Sequence, residues 1–423
     1  MAALTALDAA SADGEASSDG VAVTVWDGAT SVGGAVGPAW PGVAQPASST
    51  TNPAATRYLT TEPTMRGSLN DEPPTTRTDA GSLCKDVAMP SPERFPVVSF
   101  ASLGGTITMT PNVEGGITPK LQAADLVASA PGLGNLVAAR AFTLASQPSA
   151  SLGEADILRV VDWARAEVAQ GAVGAVIIQG TDTLEETSFL AECVWDLAAP
   201  LVFTGAMRGP AQVSADGPAN LLAAARVAAS PQAQGAGALV VLDDTVHRAT
   251  RVHKAHSTAL SAFQSYGGQV LGRIIEDEVW LAAVPARPAA LQVPPDSTIG
   301  FVPICSTFLG DDGTVLRQVL AADPAGVVIA GFGAGHVSAQ LAEVVSIAAQ
   351  KCPVVLTTRI GEGGVARRTY GFTGSEIDLQ RRGAIVAGSL DAVKSRILLS
   401  LLLAGGADAE RIVAEFELRG ARY

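Results

Sequence analysis

From residue 97 onward, short apolar runs alternate with amphipathic stretches, and the first of them, 97–103, leads directly into Gly104-Gly105-Thr106. That run predicts a strand ending in a flexible turn. A second unit begins at 175–179, an apolar run that predicts a buried strand. Behind it, Thr183-x-x-Glu186 has the spacing of a capping box, and Leu190, Cys193, Val194 and Leu197 share one face of the helix it would open. The runs 201–204 and 238–242 predict further strands, separated by a helix over 218–229 with Pro218 in its first turn. Strand and helix in repeated succession imply a mostly parallel sheet covered by helices on both faces. A Pro-rich stretch, 288–295, interrupts the pattern. Beyond it, strands are expected over 300–305, 327–330 and 354–357, and two helices over 391–403 and 407–416.

The expected fold class is therefore α/β. A larger, doubly wound, mostly parallel N-terminal domain covers 95–286, and a smaller C-terminal α/β domain covers 297–423. Residues 1–94 lack periodicity, carry eleven acids against five bases, and have little beyond 21–26 to bury, so they read as a disordered, acidic, low-complexity tail.

Composition narrows the function. Across 423 residues, 41 acids face 28 Lys and Arg, a net charge of −13 that repels a phosphate backbone and excludes nucleic acid as a main partner. The charge-free stretches 95–113 and 324–342 are broken by Pro, Gly, Ser or Thr, so neither reads as a membrane span. The first twenty residues hold acids and no Lys or Arg, the reverse of a secretory signal, and a cytoplasmic location is expected. Cys84, Cys193, Cys305 and Cys352 form no CxxC pair and read as reduced thiols. His247, His253 and His256 lack metal-ligand spacing, and Gly331-x-Gly333-x-Gly335 is only half of a dinucleotide fingerprint. No cofactor and no metal are expected.

In open parallel sheets, ligands bind beyond the carboxyl ends of strands. Two such loops carry reactive groups here. Gly104-Gly105-Thr106-Ile107 offers a hydroxyl on a flexible turn, and Gln179-Gly180-Thr181-Asp182-Thr183 offers a hydroxyl beside a carboxylate at a helix start. Taken singly, each is equally explained as a tight turn or a cap.

Read in order, Gly104–Ile107, Gln179-Gly180-Thr181-Asp182-Thr183-Leu184-Glu185-Glu186-Thr187, Thr204-Gly205-Ala206-Met207-Arg208 and Ser214-Ala215-Asp216-Gly217-Pro218-x-Asn220-Leu221 closely resemble the motifs of the bacterial-type L-asparaginase/glutaminase family. The resemblance covers roughly 97–420. It implies hydrolysis of a side-chain amide with release of ammonia, without a cofactor, on a small amino-acid amide. It also implies a homodimer or homotetramer whose active sites are shared between chains. Carried over by motif, Thr106 is the nucleophile on a lid loop, and Thr181, Asp182 and Lys254, the last in Arg248-x-x-Arg251-Val252-His253-Lys254, form a second constellation. Ser146 and Gln147 grip the substrate α-carboxylate, Asp182 pairs with its α-ammonium, and Ala206 belongs to the pocket. Glu376, in Ser375-Glu376-Ile377-Asp378, reaches the neighbouring chain's site.

These residue types suit that chemistry. A threonine hydroxyl is a poor nucleophile until a base removes its proton, and a lysine can do so only when neutral. Asp182 beside Lys254 favours the charged form, so Lys254 acts either as base or as an electrostatic group. Loop amides beside Thr181 are candidate donors to the developing oxyanion. The chain departs from the family pattern in four places. No tyrosine stands in Asn112-Val113-Glu114-Gly115-Gly116-Ile117-Thr118-Pro119, Gln179 replaces a histidine, Leu103 a threonine, and Ala334 an asparagine. Two other readings stay open: a weakly active or non-catalytic amino-acid-binding relative, and the amidase subunit of a tRNA-dependent amidotransferase.

Overall fold

The computed structural model describes residues 95–111, 116–294 and 297–421. The tail expected over 1–94, with Cys84, and lid positions 112–115 lie outside the described residues.

In chain order the strands are β1 Val97–Ser102, β2 Met109–Pro111, β3 Ile117–Pro119, β4 Ala138–Thr143, β5 Gly174–Ile178, β6 Leu201–Thr204, β7 Ala238–Leu242 and β8 Thr245–Arg248. They continue as β9 Val252–Lys254, β10 Phe263–Ser265, β11 Gly272–Ile275, β12 Glu278–Leu281, β13 Ile304–Ser306, β14 Val327–Gly331, β15 Val354–Thr358 and β16 Ile385–Val386. The helices are α1 Ala123–Ala128, α2 Glu154–Ala169, α3 Leu184–Val194, α4 Gly217–Ala229, α5 Thr314–Ala321, α6 Ala339–Ala349, α7 Glu376–Arg381, α8 Ala392–Ala404 and α9 Ala409–Arg419.

The large sheet runs β12-β11-β8-β7-β6-β5-β1-β4. Its pairings are parallel from β7 to β4 and antiparallel from β7 to β12. The smaller sheet, β13-β14-β15-β16, is parallel throughout. The chain is thus a mixed α/β protein with a large, mostly parallel sheet followed by a smaller parallel one.

The two-residue period of a strand divides the core. In β5, Ala175 and Ile177 join one buried cluster while Val176 and Ile178 join the other, and all four are 0% exposed. The second of these clusters adds residues of α1 and α4. The first adds α2 and α3, then continues through α8 and α9 to Val328 and Val355 of the smaller sheet. That sheet's other face, with Val327, Ile329 and Leu356, packs on Leu316 of α5 and Leu341 of α6. One apolar layer therefore lies between the two sheets and belongs to both.

Three expectations are corrected. Thr183 and Glu186 form no capping box: Thr183 makes no side-chain cap bond to α3, and its Oγ1 instead donates to Ser149 O at 3.1 Å. The strand expected over 300–305 starts only at Ile304, because Pro303 has no N–H to pair. The last helix begins at Ala409, where the Asp408 side chain accepts from Arg411 N at 2.8 Å and fixes the first turn. Cys193, Cys305 and Cys352 are free and buried, and burial pushes the Cys193 thiol up to about 12.

Candidate active site

Four adjacent strands, β6, β5, β1 and β4, end at the same edge of the large sheet, and each runs into one of the loops singled out by sequence. β1 leads to Thr106, β4 to Ser146 and Gln147, β5 to Thr181 and Asp182, and β6 to Ala206. The loops touch through glycine. Gly104 has φ +103°, and a Cβ there would stand 2.6 Å from both the N and the O of Gln147. Gly105 has φ +90°, and a Cβ there would collide with Gly180 N and Cα. Only glycine permits both that backbone conformation and that approach. Because Thr106 follows Gly105 and Thr181 follows Gly180, the two hydroxyl residues are brought to one place.

Thr181 opens a short helical turn, Thr181–Thr183, that continues into α3, and is only 6% exposed. Its Oγ1 accepts from Lys254 Nζ at 2.9 Å, and the same ammonium donates to Asp182 Oδ1 at 2.7 Å. Since Thr181 Oγ1 is already an acceptor, its own proton is free to point elsewhere. Asp182 keeps its carboxylate largely in the open, at 71% side-chain exposure, so it can face both Lys254 and an incoming cation. Lys254 lies on the two-stranded ribbon β9–β10 outside the main sheet, and its backbone N donates to Glu185 Oε2 at 2.9 Å.

Ala206 is 1% exposed and lies beneath the site. Its loop is braced by Asp216, which accepts from Met207 N at 2.9 Å and Arg208 N at 2.8 Å, and by Asn220 Nδ2, which donates to Gly205 O at 3.0 Å. Gln179, in place of the expected histidine, is fully buried and accepts from Thr187 Oγ1 at 2.9 Å. Thr106 is half-buried on the turn Thr106–Thr108, and its side chain makes no hydrogen bond among the described residues.

Thr106, Ser146, Gln147, Thr181, Asp182, Ala206 and Lys254 therefore form one cluster, and Glu376 is not part of it. Glu376 is 0% exposed in the smaller sheet's half of the chain, where its Oε1 accepts from Thr369 N and Tyr370 N, each at 2.8 Å. Burial pushes its carboxyl up, but these two bonds and the nearby His336 bring the balance below the usual carboxylate value. Glu376 Oε2 accepts no hydrogen bond among the described residues and stands 3.3 Å from His336 Nε2, so that oxygen is the one left for a further partner. Sequence reasoning missed Glu185 as the holder of Lys254, since the two are 69 residues apart and Glu185 sits inside a motif already explained by helix chemistry.

The chain is similar to known proteins over both of its sheets. Residues 97–287 match the family model described as asparaginase, N-terminal, and 302–416 match the glutaminase/asparaginase C-terminal domain. A probable L-asparaginase of Deinococcus radiodurans is 35% identical over 76% of this chain and 97% of its own length. An L-asparaginase of Bacillus licheniformis is 33% identical over 55% of this chain and 72% of its own. Among solved structures, a probable cytoplasmic L-asparaginase from Campylobacter jejuni superposes with a TM-score of 0.67 at 27% identity, covering 76% of this chain and 99% of that one. With both halves of the chain matched, and with the glycine-joined loops gathering its motif residues at one sheet edge, the protein belongs to the asparaginase family.

Proposed function

We propose that this chain is an L-asparaginase, hydrolysing L-asparagine to L-aspartate and ammonia through an acyl-enzyme on Thr106. The observation that carries the reading is the Lys254 ammonium bonded at once to Thr181 Oγ1 and Asp182 Oδ1, in a loop that meets the Thr106 turn. In this reading Ser146 and Gln147 take the substrate α-carboxylate and Asp182 its α-ammonium, which fixes the side-chain amide over the two threonines. Thr106 Oγ attacks the amide carbon, its proton leaves with the nitrogen as ammonia, and water then cleaves the ester. The first N–H groups of a helical turn have no partner within it, so the amides at Thr181 and Asp182 can donate to the oxyanion. Lys254 serves electrostatically: donating to Thr181 Oγ1 and Asp182 Oδ1, it orients the threonine hydroxyl beside the carboxylate.

The proposal extends to a cytoplasmic enzyme, by similarity to the Campylobacter jejuni protein, which is described as a probable cytoplasmic L-asparaginase. It also includes a homodimer or homotetramer with shared sites, in which Glu376 offers its Oε2 to a neighbour's substrate. Light scattering on the active enzyme tests the assembly, and a fully active monomer would exclude it. The activity is tested by steady-state ammonia release from L-asparagine and L-glutamine. Asparagine should be preferred by roughly 10–200-fold, the worth of about one methylene in a fitted pocket. Release from neither amide would leave the non-catalytic amino-acid-binding reading in its place.

A further inference from the structure

Helix α8 is apolar and buried over most of its length, yet its third residue is Lys394, at 0% exposure. A buried ammonium costs several kcal/mol in lost hydration unless its protons find acceptors, and an apolar residue of similar size is often equal or better for stability. Lys394 is fully provided for. Its Nζ donates to Asp391 Oδ2 at 2.7 Å and to Val252 O at 2.8 Å, and stands 5.3 Å from the centre of the Tyr266 ring. Asp391 caps α8 by accepting from Lys394 N at 2.8 Å and also accepts from Tyr266 Oη at 3.0 Å. Burial pushes the Asp391 carboxyl up, but Lys394 and the hydrogen bonds hold it below its ordinary value, which favours the carboxylate.

The acceptor Val252 O gives this cluster its meaning. Val252 is the first residue of β9, a three-residue strand that ends at Lys254 and pairs only with the equally short β10 among the described residues. So short a ribbon does not hold a side chain in place by itself. Each residue of β9 has its own anchor: Val252 O on Lys394, the His253 ring stacked at 4.1 Å and 7° on Tyr266, and Lys254 N on Glu185. Two of the three come from the Lys394–Asp391–Tyr266 cluster, whose two charged members stand at the start of α8.

We propose that Lys394, with Asp391 and Tyr266, is a positioning residue for amide hydrolysis, setting the place of the Lys254 ammonium through the backbone of β9. This rests on the function proposed above. The reach is long in sequence, 142 residues from Val252 to Lys394, and short in space.

Steady-state kinetics on L-asparagine with Lys394→Met, Tyr266→Phe and Ser395→Ala test it. Ser395 is equally buried on the same helix, but among the described residues its side chain bonds only Leu390 O, so its variant should lose stability and keep kcat. Lys394→Met, folded by circular dichroism, should lose at least ~10-fold in kcat with KM within about threefold, since substrate contacts remain while the relay shifts. Tyr266→Phe, which removes one hydroxyl, should lose about threefold, and it decides the matter if Lys394→Met does not fold. Wild-type kcat in either folded variant, or an equal kcat loss in Ser395→Ala, overturns the proposal. Crystal structures of the same variants give a readout independent of turnover: Lys254 Nζ displaced from Thr181 Oγ1 supports it, and an unchanged contact overturns it. Failure of the wild-type chain to release ammonia would instead strike the proposed function.

Discussion

The two threonines of the site differ in how they are held. Thr181 is buried, bonded to an ammonium, and carried on a turn that leads into an eleven-residue helix. Thr106 is half-buried, follows two glycines with positive φ, and makes no side-chain hydrogen bond among the described residues. One hydroxyl has its charged partners before any substrate enters. The other is positioned by backbone contact among the described residues, and in the proposed mechanism it takes its partner from the substrate. Such a division suits a two-step reaction, in which the nucleophile must change bonding partners and the relay must not.

The largest effects should come from the threonines themselves. Thr106→Ala and Thr181→Ala should each lower kcat at least ~10²-fold. Only Thr181→Ala should also lower Tm, because it leaves Lys254 short of an acceptor, whereas the Thr106 side chain has no hydrogen bond to lose among the described residues. Equal Tm shifts in a calorimeter would erase the distinction. Gly105→Ala should come next, losing about 2–3 kcal/mol by urea denaturation, because its Cβ would strike the Gly180 backbone at a φ that L residues avoid. A variant as stable as the parent would mean that the two loops do not meet as described.

The smallest effect concerns the wired half and acid. His247 on β8 stands 2.9 Å, through Nδ1, from Ser265 Oγ on β10, the strand that pairs with β9. Burial first, then Arg273, lowers its pKa from 6.5 to about 4. The unfolded chain therefore binds the proton more readily than the folded one, and stability that is present above about 6.5 is lost as the pH falls toward 4. Between pH 7 and pH 5 this amounts to about 2 kcal/mol. His247→Asn should flatten that part of the profile, and an unchanged slope would assign the acid sensitivity elsewhere.

Much of this was readable from residue order. The strands β5, β6, β7, β14 and β15 are runs of apolar residues because they are covered on both faces, and such runs need no tertiary information to be recognised. Helix α2 and strand β4 went unread, and so did the antiparallel extension from β8 to β12. All its strands are short and β11 and β12 are half-exposed, and α2 mixes alanine and charge within its apolar stripe. At the site, Thr106, Ser146, Gln147, Thr181, Asp182, Ala206 and Lys254 were legible as motif positions. The supports were not. Glu185 and Lys394 act on β9 from 69 and 142 residues away, and nothing local marks a residue whose partner is a distant backbone atom.

The apolar layer shared by the two sheets bears on how the chain is made. Ala101 and Phe416 belong to the same buried cluster, so a core begun by the first strand is closed only by the last helices. During synthesis, α2 and α3 emerge with one face uncovered and wait for more than half the described chain before α8 and α9 arrive. Such long-range closure is slow, and it leaves apolar surface open to wrong partners. A nascent chain halted after β12 would present that surface permanently, which makes it a natural client for a chaperone until the C-terminal helices are complete.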